Sequence, residues 1–240
     1  MTKRIVRDLL IIVAVLGTIW AAVTWIDLSP EEPIEVISPE KEAELGDFFI
    51  EAFLEGASEV EDTSIQRAMD TITTRLLTTL DTTEHAYTFY VVRDEQINAF
   101  ATLGGNIVVF SGLISFCERP EELAAVLAHE IGHVEERHVT NKLLKEFSLG
   151  VLFGVLTGGD VIVVQEILRT LASTAFDRSQ EAAADDFALQ MMQDASVHPH
   201  YLGTFFRRLR EDNELSDVTD RLTLISTHPA DKDRVNNAFE

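Results

Sequence analysis

Cysteine is almost absent from this sequence. Cys117 stands alone, so no disulfide forms within the chain and no cysteine cluster holds a metal; it reads as a small buried apolar residue. Basic residues are scarce, with 19 Lys and Arg against 41 Asp and Glu and a formal net charge of -22. Phosphate neutralisation needs a basic face, so nucleic acid is excluded as a partner. Proline is rare too, and three of the six fall at Pro30, Pro33 and Pro39 in one acidic stretch. No internal repeat and no low-complexity tract is present. What is abundant is apolar surface: 46% of the residues are hydrophobic, enough for a substantial core and too much for a disordered chain.

Long uncharged runs are limited to one, Leu9 to Ile26. As a helix it covers roughly 27 Å, close to the ~30 Å hydrocarbon core of a bilayer. Trp20 and Trp25 sit towards its far end, where amphipathic rings favour the lipid–water boundary. Lys3, Arg4 and Arg7 precede the run, and Asp27, Glu31, Glu32 and Glu35 follow it. These features predict residues 1–8 in the cytosol, a single transmembrane anchor at 9–26, an acidic Pro-containing linker at 27–38 and one folded domain at 39–240. The domain would lie outside, on the periplasmic or extracellular side. A cleaved signal is the rival reading, but Ala21-Ala22 between Trp20 and Val23 fits a cleavage site poorly.

Within the domain, Ser38-Pro39 predicts a helix start and a first helix to Leu54. Ile65, Met69, Ile72, Leu76 and Leu80 recur at helical steps and predict a second, Thr63 to Leu80. Tyr87–Val92 reads as a strand. Ile97–Thr102, a turn at Leu103-Gly104-Gly105-Asn106 and Ile107–Phe110 read as strand, turn, strand. A helix begins at Pro120 and runs through Val134. Phe147–Leu156 and Val161–Leu171, split by Gly158-Gly159-Asp160, predict a helical hairpin packed on the domain; the alternative is an apolar face dipping into a membrane. Asp177–Met192, His198–Asp212 and Asp231–Phe239 read as further helices. The expected fold class is α+β, mostly helical with a small sheet.

The chemistry lies in Ala128-His129-Glu130-Ile131-Gly132-His133. Residues four apart share a helix face, so His129 and His133 can offer imidazoles to one ion, and Glu130 can reach a water on it. A pair of surface histidines is the bland alternative, but an apolar helix would bury these polar groups without a reason. A catalytic zinc takes three protein ligands and keeps a position open. The candidate third is Glu181, in Arg178-Ser179-Gln180-Glu181-Ala182-Ala183-Ala184-Asp185. Asp185 is four residues on and can accept a hydrogen bond from a ligand's second ring nitrogen, that of His129. The intervening alanines let this helix approach another closely. An ordinary acidic helix face is the alternative there. Imidazole and carboxylate ligands suit zinc best, with cobalt or manganese able to take the same ligands.

The pairing of His-Glu-x-x-His with a downstream Glu-x-x-x-Asp is the gluzincin arrangement. Four segments, Asn98-Ala99-Phe100-Ala101 with Gly104-Gly105, His129–His133, Glu181–Asp185, and Ser226-Thr227-His228-Pro229, resemble the membrane-associated zinc peptidases of the CAAX prenyl endopeptidase, HtpX and BepA type, nearest the BepA-like branch. The resemblance implies a zincin-like domain over 39–240. It also implies that His228 and Arg234 lie near the metal and hold neighbouring groups or the developing oxyanion. Asn98, Ala99 and Phe100 resemble the edge strand along which an extended peptide substrate pairs. On its own, His228 before Pro229 reads as a turn residue. His138 reads as structural and facing elsewhere on the helix; His198 and His200 read as a helix entry, and His85 as part of a polar turn.

The sequence therefore predicts a membrane-anchored endopeptidase. One Zn2+ is held by His129, His133 and Glu181, with Glu130 as general base, acting on protein or peptide substrates in quality control of envelope or membrane proteins. Its rivals are a latent or chaperone-like binding module on the same fold, and a membrane protein with a chance motif.

Overall fold

A computed structural model of the chain describes residues 37–147, 151, 152, 154, 161–173, 175–215, 224, 227 and 228. The elements below all lie within the unit Ser38–Glu240. Helix α1 spans Pro39–Leu54, with Ser38 as N-cap accepting from the Lys41 amide and proline in the first turn. Helix α2 spans Thr63–Leu77 and starts at Asp62, whose carboxylate accepts from the amides of Ser64 and Ile65. It stops short of Leu80 because Thr78 and Thr79 turn their hydroxyls back onto the carbonyls of Arg75 and Leu76, which competes with helix continuation.

Three strands follow: β1 (Thr88–Val92), β2 (Ala99–Ala101) and β3 (Asn106–Phe110). Their order is β1-β3-β2, with β3 parallel to β1 and antiparallel to β2. Gly104 and Gly105 join β2 to β3 at φ of 71° and 83°, a left-handed conformation that costs a glycine little. On one face of the sheet Phe100, Val108, Phe110 and Val92 pack with Ile50 of α1, with Phe53 beside them. A short helix α3, Ser111–Phe116, which the sequence reading did not anticipate, leads out of β3.

Helix α4, Pro120–Glu135, runs through the middle of the domain: every residue from Glu122 to Val134 is buried. Total burial explains why its apolar residues show no single stripe. At its first turn, Glu122 is clamped by Arg208, whose guanidinium donates to both carboxylate oxygens at 2.8 and 2.6 Å. Arg137 then takes a left-handed conformation, φ 54°, with its guanidinium on Glu42 at 3.0 Å. The chain turns there into a new helix, α5, His138–Glu146. Helix α6 spans Val161–Ser173; Val164, Ile167 and Leu168 are buried, and most of the first arm expected for a hairpin lies outside the described residues. Helix α7, Arg178–Asp194, opens with a capping box between Asp177 and Gln180. Helix α8 spans His200–Leu215 and carries Arg208. The helix expected at Asp231–Phe239 lies outside the described residues.

The domain is α+β, mostly helical with a small mixed sheet. The placement of the chain as a single-pass membrane protein is corrected: among the described residues no helix is long and apolar enough to cross a membrane. The segments assigned to a cytosolic N-terminus, an anchor at 9–26 and most of the linker lie outside the described residues.

Candidate active site

Helix α7 lies along α4 more extensively than any other described pair of elements. The approach is close at Gly132, where a Cβ would stand 3.0 Å from the Ala184 carbonyl oxygen and 3.2 Å from its Cα. That contact brings Glu181 and Asp185 of α7 against His129 and His133 of α4. His129 Nε2 and His133 Nε2 are 3.0 Å apart, and Glu181 places Oε2 3.6 Å from the first and Oε1 3.4 Å from the second.

These separations test whether a metal fits. Tetrahedral coordination with zinc bonds of 2.0–2.1 Å puts neighbouring ligand atoms roughly 3.3–3.5 Å apart. The imidazole nitrogens stand 3.0 Å apart, somewhat inside that span, and each has one Glu181 oxygen at 3.6 or 3.4 Å, a donor set of two imidazoles and a carboxylate that suits zinc chemically. Burial holds the His133 imidazole below its ordinary pKa, despite the raising contact with Glu181, in the neutral form a ligand needs. Burial pushes the Glu181 carboxyl up, but the imidazoles of His228, His133 and His129 outweigh it and hold the group well below the usual range. Both ligand types are thus kept ready to coordinate.

Asp185 Oδ1 lies 2.9 Å from His129 Nδ1, within reach of a proton there, the arrangement that would leave Nε2 for a metal. Glu130 points away from the ligand faces towards β2. Its Oε2 accepts the Ala101 amide at 3.1 Å. Its Oε1 is buried and accepts no hydrogen bond among the described residues; His228 Nε2 stands 3.4 Å from it. Burial raises the Glu130 pKa, against the pull of His228 and His129, in the direction a general base near neutrality requires.

His228 is much more than a turn residue. Its Nδ1 lies 3.2 Å from His129 Nε2 and 2.9 Å from Glu181 Oε1, so it converges on the same point as the other three donors. Its ring therefore spans from that point to Glu130. Arg234 lies outside the described residues. Asn98, Ala99 and Phe100 reach β2 and its start, but not equally. The Phe110 amide donates to the Asn98 carbonyl and the Thr102 amide to that of Asn106. Alternation in an antiparallel pair then turns the backbone of Asn98, Phe100 and Thr102 towards β3, and that of Ala99 and Ala101 away from it, to a side that is buried in this structure. The Phe100 side chain is in the core.

Two neighbours of the site were missed in the sequence. His138 does not continue the face of α4, because the chain reverses at Arg137; its Nδ1 returns to 3.1 Å from His133 Nδ1. Phe176 stacks on the His133 ring at 4.0 Å and 24°, and Lys142 Nζ lies 4.3 Å from the Phe176 centroid. Burial pulls the Lys142 ammonium down to about 8. The left-handed conformation at Arg137 has no sequence signal, since glycine or asparagine would normally mark it.

The chain is also similar to known proteins. A 28% identical match over 215 residues relates the chain to the beta-barrel assembly-enhancing protease of Yersinia pestis, covering 84% of this chain and 44% of the relative. The mitochondrial metalloendopeptidase OMA1 of Schizosaccharomyces pombe is 30% identical over 155 residues, covering 63% of this chain and 45% of the relative. Metalloprotease LoiP of Escherichia coli is 31% identical over 163 residues, covering 63% and 60%. The chain thus spans under half the length of the first two. The profile of peptidase family M48 matches residues 63–240, from α2 to the last residue, and the chain therefore belongs to peptidase family M48, the metallopeptidases.

Proposed function

We propose that this chain is a zinc-dependent endopeptidase in which His129, His133 and Glu181 hold the ion and Glu130 is the general base. The observation that carries the reading is the convergence of the His129 and His133 Nε2 atoms, 3.0 Å apart, on the Glu181 carboxylate, whose Oε2 and Oε1 lie 3.6 and 3.4 Å from them, beside a buried carboxylate tied to the edge strand. Zinc, when bound, supplies the Lewis acidity that activates water and polarises the scissile carbonyl. Glu130 Oε1 takes the proton of the attacking water and returns it to the leaving amine. His228 Nε2, and Arg234 by resemblance, stabilise the negative charge that develops on the carbonyl oxygen. An extended peptide pairs with the outer edge of β2, which is buried in this structure, through the backbone of Ala99 and the carbonyl of Ala101 once that edge is uncovered. Backbone pairing reads no side chain, which suits a protease acting on misassembled proteins, and the assembly-enhancing name of the Yersinia relative supports envelope or membrane protein quality control. The test is metal analysis and casein cleavage by the full chain. About one zinc per chain is expected, with cleavage lost to a chelator and restored by zinc. Absence of metal, or cleavage indifferent to chelation, would overturn the reading.

A second reading, a latent form, is favoured by His228. Its Nδ1 occupies the fourth direction about the ligands, and His129, Glu130, His133, Glu181 and His228 are each at most 2% exposed. A closed four-donor site is the structural kind, not the catalytic kind. The substitution His228→Ala separates the two. It lowers casein cleavage on the order of 10²–10³-fold if His228 serves the oxyanion, and raises it if His228 closes the site.

A further inference from the structure

Among the described histidines, His138 has no part in the proposed reaction, yet it is buried and aimed at a ligand. It is 7% exposed, and its ring stands at 66° to that of His133 with centroids 5.1 Å apart. The atoms that meet are the two Nδ1 nitrogens, at 3.1 Å. Two protonated nitrogens facing each other would repel, and two bare ones would leave a buried acceptor pair without a proton. One donates and one accepts.

The direction follows from the other side of the ring. His133 Nε2 is the atom that faces His129 Nε2 and Glu181, so it must be bare to take a metal. A neutral imidazole then carries its proton on Nδ1. That proton has His138 Nδ1 as its acceptor, and His138 in turn carries its own proton on Nε2. We infer that His138 is a positioning residue for the metal: it fixes the tautomer and ring orientation of His133, as Asp185 does for His129. This inference rests on the metal-site reading given above.

The two imidazole ligands are therefore backed differently. His129 leans on a carboxylate and His133 on a neutral ring. Adding a second carboxylate would crowd more negative charge around Glu130 and Glu181, which are already buried together; a neutral acceptor orients His133 without that cost. The reversal at Arg137 is what makes this geometry available. On a continuous helix a residue five positions on from His133 would be turned well off its face, whereas starting α5 at His138 folds its ring back onto the ligand. Phe176, stacked on the other aspect of the cluster, restrains the ring by packing and offers no acceptor.

The experiment is zinc affinity by competition with a chromophoric chelator, with the absorption spectrum of the Co2+-loaded protein, on the full chain and two variants. His138→Phe keeps a ring and removes the acceptor. His138→Asn restores an acceptor, because its side-chain oxygen occupies the position of Nδ1. Loss of an outer-shell partner weakens metal binding about 10–100-fold, so H138F is expected to fall in that range with an altered cobalt spectrum, and H138N to recover affinity and spectrum to near the parent. Thermal unfolding of the metal-free proteins reports whether H138F still folds. Equal affinity of H138F and the parent overturns the role of His138 and leaves the metal site standing. H138N binding as weakly as a folded H138F also overturns it, since ring packing would then be the cause. No zinc in the parent itself would overturn the metal site and this inference with it.

Discussion

Replacing Glu130 by Gln is expected to reduce peptide hydrolysis by about 10²–10⁴-fold while the protein keeps its fold and its metal. The argument starts from what Glu130 does not do. It is not among the atoms that converge as ligands, which come from His129, His133, Glu181 and His228. Its structural duty is a single hydrogen bond, from the Ala101 amide to Oε2 at 3.1 Å, and a glutamine oxygen can accept that bond. The glutamine amide then falls where Oε1 stood, the position 3.4 Å from His228 Nε2. The buried group then carries no charge, and removing a carboxylate whose pKa burial raises relieves the site of a desolvated anion. What the amide cannot do is accept a proton. Zinc content, thermal unfolding and casein cleavage are measured side by side. Retained metal with lost cleavage fits a general base; cleavage within tenfold of the parent would remove Glu130 from the mechanism. Loss of metal would mean that the carboxylate supports the ligands and not the reaction.

The sequence exposes the parts of this site that obey local periodicity. His129 and His133 lie one turn apart on a helix whose start Pro120 announces, and Glu181 and Asp185 repeat that spacing behind the capping box of Asp177. Ser38, Asp62 and Asp177 mark helix starts by their own chemistry, accepting from the amides that a helix leaves over. What stays hidden is tertiary. His138 reads as a continuation of α4 until the backbone of Arg137 is seen in a conformation its residue type does not advertise. Phe176 is an isolated aromatic in sequence, and only the path of the chain into α7 lays it on His133. His228 looks like half of a loop dipeptide, and its place among the ligands depends on a segment far from both helices; the resemblance to a family, not the residues alone, pointed to it. The choice between Ala99 and Phe100 as the backbone turned away from β3 needs the register of β2 on β3, which alternation of side chains does not reveal because all of β2 is buried. Helix α3 was missed for a similar reason: its six residues are too few to display a period.

Gly132→Val is expected to weaken zinc binding beyond the ~100-fold that loss of an outer-shell partner causes, although Gly132 offers no atom to the metal. Glycine within a helix costs about 0.5–1 kcal/mol relative to alanine, so its place between Ile131 and His133 asks for a compensating contact. That contact is the backbone of α7: a Cβ here would lie 3.0 Å from the Ala184 carbonyl oxygen, 3.2 Å from Ala184 Cα and 3.3 Å from Phe187 Cβ. The obstacle is mostly main chain, which cannot rotate aside as the end of a long side chain can. One methyl group requires shifts of a few tenths of an ångström, offset in part by better helix propensity. Gly132→Ala should therefore stay close to the parent in stability and lose metal affinity modestly. Valine adds two further carbons and has to push the helices apart, at about 1–3 kcal/mol for overpacking. The displacement matters because the proposed ligands are divided between the two helices, with His129 and His133 on α4 and Glu181 on α7, and Asp185 of α7 contacts His129. Separating them lengthens the 3.4 and 3.6 Å distances from the imidazoles to Glu181 and loosens the Asp185 contact in the same movement. Zinc titration of the valine and alanine variants, each with its metal-free unfolding curve, reads the effect. A graded loss from alanine to valine, larger in metal affinity than in stability, identifies the α4–α7 separation as what sets the site. Parent-like zinc binding by a folded G132V would show that Glu181 reaches the metal independently of helix spacing, and the account of why this glycine sits inside the motif would fail.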